Sequence, residues 1–336
     1  MTTTSPHSTD PTTLTARCPE DVLALVPVLL GFLPSQSVVM LTFGAAQAFH
    51  ARVDRPADPD EVPEVVESLL GPARRHRVRR VVFVIYGDGD RLSDQLADTL
   101  RDEFTDAGIE IAEMFRADGE RWFPLLHDHD GVADRGVAYD IASHPFLAHA
   151  VLRGQVTHDS RAALAASLEV DPERAGRVGE LVAALPDQCL WVDGAPAEKL
   201  LAEGEWVHKL VRHRTASGTV PTDEEVARLL LAIQIRRIRD AAWSSLSRAT
   251  AQQHVSFWTD VCRQTPAELL APPAALLGWA AWQAGHGALA WCAADLADRC
   301  DPDYLLTHYL AHALEHAIPP TVWEPGWDWK EGLMSG

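Results

Sequence analysis

Residues 78–90 read VRRVVFVIYGDGD. Five consecutive β-favouring residues, Val81 to Ile85, show no polar alternation, so the run predicts a central strand covered on both faces. Gly87-Asp88-Gly89-Asp90 breaks the strand. Leu92, Leu96, Leu100 and Phe104 then recur at helical spacing until Gly108. A further period-two strand spans 109–116 (IEIAEMFR), and Asp118-Gly119 is a hairpin signal before 121–126 (RWFPLL). Upstream, 19–31 (PEDVLALVPVLLG) opens on Pro and two acids and stops at Gly31, as a helix does. Residues 37–43 (SVVMLTF) and 48–54 (AFHARVD) predict a hairpin, and 59–76 an amphipathic helix. The order α-β-β-α-β-α-β-β defines a layered α/β domain with a mixed sheet over 14–135.

Beyond this domain, 136–172 read as connecting helices, with 137–154 helical but interrupted at Pro145. From about 173 the strand signals end. Segments 173–186, 195–214, 222–248, 251–264, 273–285, 288–300 and 304–317 carry helical periodicity, with Thr222-x-x-Glu225 as a capping box. Gly278, Gly285, Ala290, Ala297 and Pro302 follow the small-residue spacing of a tetratricopeptide repeat. The 173–318 region is therefore expected to be all-α and TPR-like, with a generic helical bundle as the alternative. Residues 1–13 read as a disordered tail and 319–336 as a Trp-rich tail.

The chain has 336 residues, with 29 Lys+Arg against 48 Asp+Glu, a formal charge of −19. Sequence-independent nucleic-acid affinity comes from Lys and Arg replacing counterions, so no nucleic-acid partner is expected. No apolar run is long enough to span a membrane. Five Cys, without a C-x-x-C, read as reduced core thiols of a cytoplasmic protein.

Pro19-Glu20-Asp21-Val22-Leu23, Leu30-Gly31-Phe32-x-Pro34-x-x-Ser37-Val38-Val39, Tyr86-Gly87, Asp118-Gly119-Glu120-Arg121-Trp122 and the stretch from Pro273 to Pro302 resemble the actinobacterial domain of unknown function 4192 family over roughly 16–318. The resemblance implies the architecture and an actinobacterial host, and no established activity. Relatives often carry Cys soon after the D-G-x-W segment, where this chain has Leu126-His127-Asp128-His129-Asp130.

Candidate chemistry is sparse. Gly87, Asp88, Gly89 and Asp90 follow a central strand and precede a helix, where open α/β sheets bind ligands. Backbone N–H groups there favour anions, yet Asp88 and Asp90 suit a divalent cation, and the plain alternative is a helix cap. The loop is neither G-x-G-x-x-G nor a Walker A loop. His127 and His129 offer metal ligands, or else a polar surface loop. His308, His312 and His316 form a stripe on the last helix. Arg74, Arg75, Arg77, Arg79 and Arg80, and Arg236, Arg237 and Arg239, form basic clusters. Trp282 lies on the TPR-like helices, and Trp323, Trp327 and Trp329 lie in a tail that packs either in cis or on another chain. No G-x-S-x-G is present, and no catalytic residue or cofactor is expected, a divalent cation excepted. The leading expectation is a non-catalytic protein–protein interaction or regulatory protein, with Trp282, His308, His312, Trp323, Trp327 and Trp329 as partner contacts. The rival is an enzyme or small-ligand binder using the Gly87–Asp90 loop.

Overall fold

A computed structural model describes residues 15–44, 49–126, 132–152, 155–185, 196–323 and 328–331. The chain divides into two compact units, Met1–Thr157 and His158–Gly336. The expected tail over 1–13 lies outside the described residues.

The first unit is a six-stranded mixed sheet with helices on both faces. Strands β1 (Ser37–Phe43), β2 (His50–Asp54), β3 (Arg80–Tyr86), β4 (Glu110–Ala117), β5 (Arg121–Pro124) and β6 (Val137–Ala138) are ordered β2-β1-β3-β4-β5-β6. Only the β3–β4 pair is parallel. Its crossover is helix α3 (Arg91–Asp106), because parallel strands cannot be joined by a tight turn. Period two sorts the side chains. Val38, Met40, Val81, Phe83 and Ile85 pack on one face, under α3 and helix α2 (Val62–Arg75). Val39, Leu41, Val82, Val84 and Phe115 pack on the other, under helix α1 (Pro19–Leu30). This two-sided burial is what the unbroken apolar run of β3 requires. Helix α1 ends at Gly31 with φ +79°, a left-handed conformation that glycine adopts without a Cβ penalty.

Two expectations are corrected here. The sheet unit does not end near 135: β6 pairs with β5, after the short helix α4 (Val132–Arg135). Pro145 begins helix α5 (Pro145–Leu152) rather than interrupting one over 137–154. Proline's missing N–H is harmless in a first helical turn and disruptive inside.

The second unit is built from α6 (Arg161–Ala166), α7 (Pro172–Ala184), α8 (Ala197–Ser217), α9 (Asp223–Ala232), α10 (Arg236–Trp243), α11 (Ala251–Arg263), α12 (Ala271–Gln283), α13 (Gly287–Cys300) and α14 (Leu305–Glu315). The capping box is formed, with Thr222 and Glu225 each bonded to the other's backbone N–H. The segment 222–248 is two helices rather than one. Extended Ile235 separates α9 from α10, and the Gln234 side chain takes the Leu230 carbonyl near the end of α9. Helices α12 and α13 form a hairpin that turns at Gly285, and α14 packs on both. Gly278 makes this packing close. A Cβ there would stand 2.4 Å from Leu310 Cδ2 and 3.6 Å from Ala293 Cβ. Of the cysteines, Cys262 and Cys292 are buried as expected. Cys18 and Cys300 are exposed, which corrects the expectation of core thiols there.

Candidate functional site

Sheet register gathers one set of side chains. Asp54 pairs with Ser37, Ser37 with Tyr86, Tyr86 with Ala117, and Ala117 with Trp122. The residues just beyond these positions therefore share one edge of the sheet, at the carboxyl ends of β3 and β4. They are Gln36, Arg55, Gly87 and, one residue inside β4, Arg116.

Arg55 spans the edge. Its Nη1 donates to Gln36 Oε1 at 3.0 Å, and its Nη2 donates to both carboxylate oxygens of Asp90. Its side chain is only 8% exposed, and its Nε has no partner among the described residues. Asp90 is the N-cap of α3, accepting the Ser93 N–H at 2.8 Å. The Arg55 guanidinium holds the Asp90 carboxyl below its usual range. Arg116 lies on the other side of the loop. Its Nη1 donates to the Gly87 carbonyl at 3.2 Å, and its guanidinium stacks 3.9 Å from the Phe123 ring centroid. Asp118 stands 3.9 Å from it. Burial pushes the Asp118 carboxyl up, but the N–H groups of Arg121 and Glu120, with Arg116, outweigh that and hold it below its usual value. Both glycines lie close to the arginines. A Cβ on Gly89 would meet Arg116 Nη2 at 2.9 Å, and Gly87, at φ +155°, lies against Arg55.

The Gly87–Asp90 loop joins β3 to α3, and Asp90, one of its two acids, is already matched by a guanidinium. Among the described residues no group of three His, Cys, Asp or Glu side chains is placed to hold a metal ion. His127 and His129 lie outside the described residues.

The expected partner contacts separate into two sets. Trp282 is buried, with Nε1 donating to the Ile318 carbonyl at 3.1 Å, so it presents no contact face, correcting that expectation. Its place in the α12 core follows from helical packing on both sides. Trp323 stacks on Trp243 at 4.6 Å between centroids and tilts against Trp279. Trp329 is buried against Gly204, Lys330 pairs with Glu205 at 3.0 Å, and Arg237 donates to the Glu331 carbonyl. Both described tryptophans of the tail therefore pack in cis on their own unit. They are not exposed partner contacts, a second correction. Trp327 lies outside the described residues.

His308 and His312 are exposed on α14. They do not converge: the nitrogen of His308 meets the Pro302 carbonyl at 2.6 Å, while the rings of His312 and His316 lie 4.1 Å apart. Leu305 and Tyr309, 47% and 57% exposed, share their face. Sequence reasoning missed Leu305 and Tyr309, although their i, i+4 spacing beside His308 and His312 was the available signal. It also missed Arg55 and Arg116. Arg116 carried a signal, a lone cation between the apolar Phe115 and Ala117.

A six-stranded mixed sheet followed by a helical unit defines the class. The chain belongs to the family described as Domain of unknown function (DUF4192), which matches residues 19–321. Residues at the start of the matched stretch have structural roles here: Glu20 accepts the Trp122 indole N–H at 2.8 Å, and Asp21 pairs with His144 at 3.1 Å. No curated protein matches the chain, and neither does any solved structure.

Proposed function

We propose that this protein is a non-catalytic interaction or regulatory protein that docks a partner helix on the outward face of α14. The observation that carries this reading is the asymmetry of that helix. One side is sealed on α12, where Leu310 fills the space left by Gly278. The other exposes Leu305, His308, Tyr309 and His312. In a TPR-like stack α14 takes the place of the first helix of a second pair. The chain turns at Pro319-Pro320 and Trp323 returns to Trp243, so among the described residues no α-helix follows α14. An amphipathic helix of another protein fits the uncovered face as i/i+3/i+4 anchors.

Charge selects the partner. Asp301 and Asp303 are exposed just before the start of α14, and the chain carries −19 overall. A basic helix is attracted, while a second copy of the chain and nucleic acid are repelled. Among the described residues no helix is long and apolar enough to cross a membrane. We read the working compartment as the cytoplasm, since the free thiols of Cys18 and Cys300 suit reducing conditions.

The test places a photo-crosslinking phenylalanine analogue at position 309 of the full chain in the native cell. The expected result is a crosslink to a net-positive segment of helical periodicity in one other protein, abolished by Leu305→Glu. Crosslinks only to copies of this chain, or crosslinks indifferent to Leu305→Glu, would overturn the docking reading.

A further inference from the structure

Beyond the docking reading, we infer that the α/β unit binds an acidic peptide segment of a partner protein on the arginine cluster Arg74–Arg80, with Phe43 as the apolar contact. The cluster occupies the sheet edge opposite the Gly87–Asp90 loop. Helix α2 ends at Arg75, the chain turns through His76 and Arg77, and β3 starts at Arg80. Register sets Arg80 opposite Phe43, the last residue of β1. Arg79 lies along the next residue, its Cβ 3.3 Å from where a Cβ on Gly44 would stand. Arg74, Arg75, Arg77, Arg79 and Arg80 are all exposed, and Phe43 beside them is 42% exposed.

The fold leaves this charge largely unanswered. Arg74 stands 3.8 Å from Glu67 and Arg80 3.0 Å from Glu110, in ion pairs open to solvent on both sides. Such pairs contribute little and exchange partners readily. Arg77 and Arg79 have no acidic partner among the described residues.

The backbone at Arg77 is an independent sign. Its φ is +52°. Its N–H donates to the Arg74 carbonyl at 3.1 Å, and the Val78 N–H donates to the Ala73 carbonyl at 2.9 Å, the closure that ends a helix in one left-handed residue. Gly108 after α3 and Gly285 after α12 fill the same place. Arginine bears a steric cost there that glycine does not. The helix end does not need it, since Arg74 and Arg75 already put cations in the last turn of α2. A cation held against backbone preference points to a use outside the fold.

Charge chooses the occupant. Guanidinium forks take carboxylates two oxygens at a time, and Phe43 seats an apolar side chain between them. The chain as a whole carries −19. Exposed charges are screened over about 8 Å at physiological salt. A short acidic segment confined to the cluster is therefore attracted, whereas a membrane surface or a long nucleic acid must also lie against repelling surface. Exposed Asp106 and Glu110, at the end of α3 and the start of β4, border the cluster on one side, so the segment runs toward β1.

The test is fluorescence anisotropy of a short labelled peptide of Glu and Asp around one Leu, titrated with the full chain. The same peptide with Gln and Asn, phosphatidylserine vesicles and single-stranded DNA are parallel arms. The acidic peptide is expected to bind, more weakly as salt rises, and at least about tenfold tighter than the neutral one. Arg77→Gln and Arg79→Gln each weaken it about threefold or more, the scale of one exposed charge pair. Arg77→Gly separates binding from folding: it should raise the urea midpoint by relieving the left-handed residue, while weakening the peptide as Arg77→Gln does. No binding of the acidic peptide, equal binding of the neutral one, or an Arg77→Gly chain that is destabilised or keeps wild-type affinity would overturn the inference. Tighter binding of the vesicles or the DNA, lost in the same arginine variants, would overturn the peptide assignment in favour of that polyanion.

Discussion

Replacing Gly278 with alanine adds one methyl group at a close contact between α12 and α14. The added Cβ stands 2.4 Å from Leu310 Cδ2, closer than side chains tolerate, and 3.4 Å from the Ala290 carbonyl oxygen. Leu310 is fully buried, so its end has no room to swing into. Two effects oppose. Alanine favours a helix interior over glycine by about 1 kcal/mol. Overpacking a closed core costs about 1–3 kcal/mol. The overpacking dominates, leaving a net loss of about 1 kcal/mol, or roughly 2–4 °C in Tm for a unit of this size. Tryptophan fluorescence is the right assay, because of the eleven tryptophans only Trp122 precedes the second unit. Leu310→Ala alone loses about 2–5 kcal/mol through its cavity. Combined with Gly278→Ala it should lose less than the sum, because the new methyl enters the space that Leu310 vacates. Gly287→Ala is the control, with nothing within 4 Å of its added Cβ, and should be neutral or slightly stabilising. A Gly278→Ala protein as stable as wild type, or strictly additive losses in the double variant, would refute the close packing of α12 on α14.

Two further outcomes follow from buried groups. His254 is 1% exposed, and burial lowers its imidazole to about 4. Its folded value lies below the unfolded one, so stability is complete above about pH 6.5 and falls as pH drops toward 4. The loss between pH 7 and 5 is about 2 kcal/mol, read by urea unfolding at both pH values, and a His254→Gln chain showing the same slope would exclude this residue as its source. Trp329→Ala empties the slot that Gly204 leaves on α8 and should lower the stability of the second unit by about 3 kcal/mol; an unchanged urea midpoint would mean that the tail contributes nothing to the fold.

Local signals carried most of the architecture. The Val81–Ile85 run, the helical repeat of Leu92, Leu96, Leu100 and Phe104, and the Thr222–Glu225 box each act over a few residues, and each forms the element it predicts. What stayed hidden was non-local. Strand β6 is two residues long and exists only through its pairing with β5. Arg55 reaches Asp90 across 35 positions, and Arg116 reaches Gly87 across 29. No sequence spacing encodes those distances; the register of β1, β2, β3 and β4 does. Asp90 therefore resembled a cation ligand in the sequence, while the fold makes it a helix cap paired with arginine. The tryptophans misled for a related reason. A large apolar ring serves an interface or a core equally well, and only the folded backbone around Gly204, Trp243 and Ile318 buries Trp282 and Trp329 and packs Trp323 against Trp243. The converse holds for α14, where only the folded packing leaves Leu305 and Tyr309 exposed.

The most direct measurement is the affinity of the crosslinked basic segment, made as a peptide, for the full chain and for its Tyr309→Glu variant, each with an unaltered Tm. Tyr309 projects from the uncovered side of α14, so the substitution should weaken binding at least about tenfold, as loss of an aromatic anchor does. Equal affinity for the two proteins would show that recognition lies elsewhere and that this helix face is only solvated surface.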